Sequence, residues 1–292
     1  MNWAARRTRF RAILEGTQCV HPGSVHDPIA ARIAEDLGFE CGMFAGSIGS
    51  LAVLGAPDLI VLTLTEFAQQ ALRINRAGNL PLLVDADHGY GNALNVKRTV
   101  EELETAGVAA LTIEDTVLPA PFGEVGTTRL ISIEEGVGKM RAALAGRQDP
   151  SLVIAGRTSA MQVAGVAETI ARARAYAAAG VDALFLVGVR TREQLDAVAD
   201  AVSLPLFLGS TPPALADRDY LAARGVRVAL QGHLPFMAAI RAVHDTLKAL
   251  RDGTPPAKIE GTASEELLRR VTREDEYRNW QRDFLGNAPH SA

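Results

Sequence analysis

Eight times along this chain a short apolar run gives way to a helix-like segment, and that alternation restricts the fold more than any other feature. The runs are residues 18–23, 41–46, 81–87, 109–115, 151–158, 182–187, 204–209 and 226–232. Several of them, such as DALFLV and LPLFLG, are continuously apolar, which suits strands covered on both faces. Helical patterning occupies 27–38, 65–78, 92–107, 133–146, 166–180, 191–201, 214–224 and 234–250. Asp27 is placed to cap a helix with Pro28 in its first turn, and Gly180 to end one. Strand–helix repeats imply a parallel sheet, and eight of them predict an α/β fold of the (β/α)8 TIM-barrel type. A doubly wound open sheet is the alternative, but no GxGxxG follows the first strand. We read one domain over 1–292, with a linker at 253–261 and an additional C-terminal helical segment within 253–292 that packs on the barrel or on a neighbouring subunit.

Composition then removes whole classes of function. The chain has 292 residues, 48% of them hydrophobic, which is ample for a large core. A net charge of −4 without a long basic tract argues against nucleic acid as a partner. No apolar run reaches membrane-spanning length. Two cysteines, Cys19 and Cys41, are too few for a zinc knuckle or a disulfide scaffold and fit a cytoplasmic location. Arg6, Arg7, Arg9 and Arg11 precede the first acidic residue, Glu15, and read as a surface helix or an organellar presequence.

A β/α barrel builds its site from the C-terminal ends of its strands. The polar residues there are Ser47, Asp58, Asp85, Asp87, Glu114, Asp115, Arg157 and His233. Asp85 and Asp87, two apart on a strand, point the same way, and their repulsion calls for a cation or a shared proton. Glu114 adds a third carboxylate, and such an oxygen set suits Mg²⁺ or Mn²⁺ rather than Zn²⁺. A solvated turn at Gly89 and Gly91 is the plainer reading. Arg157 serves either a substrate carboxylate or an internal salt bridge. His233 is a proton donor, a hydrogen-bond donor or a wall residue, and His88 adjoins the acidic cluster. Ser47 and the amides of Ile48 and Gly49 can receive an anionic oxygen, or they form an ordinary small-residue turn.

The octet DADHGYGN at 85–92, followed by a strand ending IED, resembles the isocitrate lyase/phosphoenolpyruvate mutase superfamily. Further matching pieces are HPGSVHDPIAARIAEDLGFE, AGSIGSLAVLGAPD, AGRTS and VALQGH. Within it the histidine of DADHGYGN points to the oxaloacetate decarboxylase branch. The resemblance implies a barrel whose eighth helix is swapped between subunits, in dimers that pair into a homotetramer. It implies Asp85 as the direct Mg²⁺ ligand, with Mn²⁺ able to substitute, and Asp87, Glu114 and Asp58 holding the metal's waters. Ser47, Ile48 and Gly49 resemble the site for the α-keto carboxylate, Arg157 the substrate arginine, and His233 a histidine particular to the decarboxylases. Residues 116–130 lack the cysteine of the lyases, and Thr116 replaces the lysine that follows Asp in the mutases. The expected activity is therefore Mg²⁺-dependent decarboxylation of oxaloacetate, a small oxo-dicarboxylate, to pyruvate and CO₂. The alternatives are a carbon–carbon lyase or hydrolase of another oxo-acid, 2-methylisocitrate lyase for example, or a non-catalytic anion-binding barrel.

Overall fold

The structure, a computed structural model, describes residues 3–124 and 126–286. The chain comprises two compact units, Met1–His233 and Leu234–Ala292. In the first, eight strands form one sheet in sequence order: β1 (Gly23–Ser24), β2 (Gly42–Ala45), β3 (Leu82–Asp85), β4 (Ala110–Glu114), β5 (Val153–Thr158), β6 (Ala183–Leu186), β7 (Leu206–Leu208) and β8 (Val226–Ala229). Every neighbouring pair is parallel. Val20 bridges Val228, so the ring closes, through a short seam.

The continuous apolar runs are the fully buried strands: all residues of β2, β3, β4, β6 and β7 are inaccessible or nearly so. Local chemistry sets the helix ends. Asp27 accepts from the Ala30 amide at 2.7 Å with Pro28 behind it. Thr63 with Glu66, Asn92 with Asn95 and Thr191 with Gln194 form reciprocal caps.

Three elements depart from the sequence reading. The first strand is shorter and later than the run 18–23, because Pro22 has no N–H with which to continue the ladder from Val20. The small-residue stretch after β2 is helical rather than a loop, an α turn at Gly46–Gly49 running into a π-helical turn at Ser50–Leu54. In the second unit the charged tail is two helices, Glu265–Thr272 and Glu274–Leu285, parted by Arg273 at φ +59°; residues 287–292 lie outside the described set.

The N-terminal helix Trp3–Glu15 is not a surface helix of solvated arginines. Arg6 and Arg7 are buried. Arg6 donates to the carbonyls of Asn75 and Gly78. Arg7 donates to Val108 O at 3.0 Å and Glu104 O at 2.6 Å, and pairs with Asp149 at 2.7 Å. Arg11 reaches Asp182 at 3.0 Å. Asn75 and Glu104 lie in the last turns of two barrel helices, whose end carbonyls lack partners within the helix. The guanidinium forks supply those partners and complement the negative helix ends. Gly107, at φ +83°, leaves room for the Trp3 ring, which a Cβ there would approach to 2.5 Å.

Replacing Arg7 by alanine removes three bonds at once and leaves carbonyls buried. Arg7→Ala should destabilise the protein by about 2–3 kcal/mol, read as a lowered urea midpoint, and Arg7→Lys should recover less than half of it.

Candidate active site

Strand register brings the site together. Glu114 on β4 and Arg157 on β5 are direct partners, Asp85 on β3 faces Thr112 on β4, and Arg157 faces Phe185 on β6. Arg157 therefore lies beside Glu114 and reaches past it to Asp85, one strand further on. Its Nη1 donates to Asp85 Oδ2, and its Nη2 lies 3.1 Å from Glu114 Oε2. The Phe185 ring sits 5.5 Å from the guanidinium carbon. The Thr112 hydroxyl donates to Asp85 Oδ1 at 2.8 Å, and that of Thr116 to Glu114 Oε2 at 3.2 Å.

Asp87 reaches the same place by another route. β3 ends at Asp85, and Asp87 lies beyond it at φ +48°, so the two carboxylates are not neighbours on one strand face. The Glu114 amide donates to the Asp87 carbonyl at 2.8 Å and fixes the turn. The carboxylate lies against Gly46, where a Cβ would come within 2.2 Å of Oδ2, so the position requires glycine.

These groups open on a cavity of about 340 Å³. Ser47, Asp58, Asp85, Asp87, Glu114, Arg157 and His233 all line it. Ile48 and Gly49 do not: the Ile48 side chain is in the core, and Gly49 packs on Leu62 and Phe67, leaving their backbone amides as the groups of interest. Asp115 faces the opposite side of its strand, where it is fully buried and bonded by Tyr176 Oη at 2.7 Å and Arg172 at 3.0 Å. It is a structural residue. His88 is buried as well, and burial together with Lys139 pushes its imidazole down to about 4.

Four carboxylates face one guanidinium in this cavity, and their protonation shows the imbalance. Burial, then the charges of Asp85 and Glu114, hold Asp87 well above the ordinary carboxylate range. Glu114 is raised to about 6, by burial opposed by Arg157. Asp58 is raised by burial and by Asp85. Burial disfavours the Arg157 charge, but Asp85 and Glu114 outweigh it and keep the group protonated. Excess negative charge on oxygen donors fits a hard divalent cation. Among the described residues no three His, Cys, Asp or Glu side chains converge to ligate one ion directly. Mg²⁺, which keeps several waters and needs few direct carboxylate ligands, is compatible with such a set.

Sequence reasoning missed Thr112, Thr116, Phe185 and Ser24. Thr112 and Thr116 stand two residues either side of Glu114, a spacing that could have shown them. Ser24, whose Oγ is 2.8 Å from His233 Nδ1, gave no such signal, because its partner lies across the barrel seam.

The comparisons with known proteins agree over nearly the whole chain. The phosphoenolpyruvate phosphomutase family model matches residues 10–251. An oxaloacetate decarboxylase of Bradyrhizobium diazoefficiens is 61% identical over 286 residues, 98% of this chain and 99% of the relative. One from Rhodopseudomonas palustris is 58% identical over the same shares. Among solved structures, an oxaloacetate acetylhydrolase in complex with 3,3-difluorooxalacetate superposes with a TM-score of 0.84 at 28% identity, covering 98% of each chain. A phosphonopyruvate hydrolase in complex with oxalate and Mg²⁺ gives 0.83 at 28% identity, over 96% of this chain and 99% of that one. The chain belongs to the phosphoenolpyruvate mutase/isocitrate lyase superfamily, in its oxaloacetate decarboxylase branch.

Proposed function

We propose that this protein decarboxylates oxaloacetate to pyruvate and CO₂ with the help of a divalent cation, Mg²⁺ or in its place Mn²⁺. The observation that carries the reading is the charge distribution in the cavity. Its one guanidinium is already shared by Asp85 and Glu114, and much of the remaining wall is apolar, with Met43, Phe185, Val187 and Leu230. A substrate carboxylate against that wall loses hydration without gaining a counter-charge, and departure as neutral CO₂ relieves the cost. The relatives named oxaloacetate decarboxylase support the same substrate.

Asp85 would hold the cation directly, with Asp87, Glu114 and Asp58 bonded to its waters. When bound, the cation supplies a positive charge that polarises the keto group and stabilises negative charge on its oxygen. Arg157, Ser47 and the amides of Ile48 and Gly49 orient the carboxylate next to the keto carbon. His233 donates to a substrate oxygen. The C3–C4 bond breaks, its electron pair passes towards the keto oxygen, CO₂ leaves, and C3 of the resulting enolate takes up a proton. The thiol chemistry of the lyases has no counterpart here: Cys19 and Cys41 are buried outside the cavity, and burial raises both thiols, Cys19 to about 11.

We further propose a homotetramer built as a dimer of helix-swapped dimers, in the cytoplasm. Helix Leu234–Arg251 buries none of its residues and carries Leu234, Met237, Ile240, Val243, Leu247 and Leu250 exposed at helical spacing. Among the described residues no helix is long and apolar enough to cross a membrane.

Four outcomes are expected. Oxaloacetate with Mg²⁺ and the protein should release CO₂ and pyruvate faster than the same Mg²⁺ in buffer, which itself decarboxylates slowly; equal rates, or acetate and oxalate as products, would refute the reading. Mn²⁺ affinity, measured by calorimetry, should fall at least about tenfold in Asp85→Ala while the melting curve stays cooperative. In the wild type it should also weaken as pH drops through about 6, because Glu114 then binds a proton that the cation must displace. Light scattering should give the mass of four chains, and Val243→Asp with Leu247→Asp should give smaller species.

A further inference from the structure

We propose that Ser24 is a positioning residue that holds His233 as the neutral tautomer with its proton on Nε2, so that the cavity meets an N–H donor and not a lone pair. Ser24 ends β1 and His233 follows β8, so the two meet across the seam where the barrel closes. Ser24 Oγ lies 2.8 Å from Nδ1, across 209 residues of sequence. His233 lines the cavity and Ser24 does not. With Nδ1 engaged behind, Nε2 is the nitrogen left for a ligand.

A hydroxyl can donate or accept, so the bond length alone leaves two arrangements open. The surroundings separate them. If the imidazole donated from Nδ1, the lone pair on Nε2 would enter a cavity that already holds four carboxylates against one guanidinium. If Ser24 donates to Nδ1, the Nε2 proton points into that negative field, and the hydroxyl hydrogen of a half-buried strand residue has an acceptor. Both effects favour the second arrangement. Burial keeps the ring neutral by disfavouring its charge, although Asp85 pulls the other way. A second histidine on the same seam supplies the contrast. His21 Nδ1 lies 2.7 Å from Ala229 O, and a carbonyl cannot donate, so His21 is fixed with its proton on Nδ1. The two seam histidines thus hold opposite tautomers, each set by the partner of Nδ1.

The consequence for catalysis rests on the decarboxylase reading. A neutral N–H can bond the substrate as negative charge grows on its oxygen, without a titrating charge in the resting site. Without Ser24 the ring can flip or change tautomer, and part of the population offers a lone pair to an anion.

Long-range ¹H–¹⁵N correlation spectra of the full chain with ¹⁵N-labelled histidine, near neutral pH, test this. The His233 signals are identified by their loss in His233→Gln. We expect a protonated Nε2 and an unprotonated Nδ1 for His233, with the reverse pattern for His21. Ser24→Ala should move the His233 shifts towards a mixture, and Ser24→Thr, which keeps the hydroxyl, should hold the wild-type pattern. The kcat/KM for oxaloacetate should fall about tenfold in Ser24→Ala and be largely regained in Ser24→Thr. A proton on Nδ1 of His233 in the wild type, or unchanged His233 shifts in Ser24→Ala, overturns the proposal. The wild-type spectrum decides even if a variant fails to fold. The spectra need no turnover, so a wrong substrate shows as absent CO₂ release beside an intact tautomer pattern.

Discussion

A guanidinium shared by two carboxylates governs the mouth of this barrel. Arg157 faces Glu114 in the β4–β5 register and reaches past it to Asp85 on β3, so one side chain ties three consecutive strand ends together. The fork is buried, and removing it would strand two carboxylates in a region that already carries two more. Phe185, its partner on β6, adds a π face beneath the charge. The arrangement fixes where acids can sit and which oxygens stay free for a cation or a substrate. Of the two roles that the sequence left open for Arg157 the structure shows the internal ion pair, with the fork held at the cavity wall.

The barrel was legible because its strands are buried on both faces and so read as unbroken apolar runs. Only the first was misplaced, where Pro22 interrupts the ladder. The acidic cluster was legible for a partly mistaken reason. Asp85 and Asp87 do share a cavity, yet Asp87 gets there through a left-handed turn braced by Gly46 and the Glu114 amide, which no spacing argument contains. Asp115 was over-read: alternation along a strand already places it opposite Glu114, among Arg172 and Tyr176. The arginines of the first helix were misread because their partners are backbone carbonyls, which leave no trace in side-chain patterning, and two carboxylates, Asp149 and Asp182, more than a hundred residues away.

The loop that separates this chain from its lyase and mutase relatives begins with a residue of structural use. Thr116, where the mutases carry lysine, bonds Glu114 with its hydroxyl and makes an isolated bridge to Leu130, closing the base of the loop 116–130. A cation at that position would have offset part of the negative charge at the mouth. With threonine there the excess persists, and Glu114 keeps a hydroxyl partner in place of a charge.

The helix Trp3–Glu15 leaves the ribosome long before the groups that receive it. Its arginines bond carbonyls and carboxylates between residues 75 and 182, so the last partner of the helix, Asp182, is made only after five strands have been translated. Docking of this segment therefore belongs to the late part of assembly, although its residues are among the earliest made. A nascent chain halted before residue 149 would display Arg11 with none of its partners and Arg7 without its carboxylate, a positive face that marks an unfinished barrel.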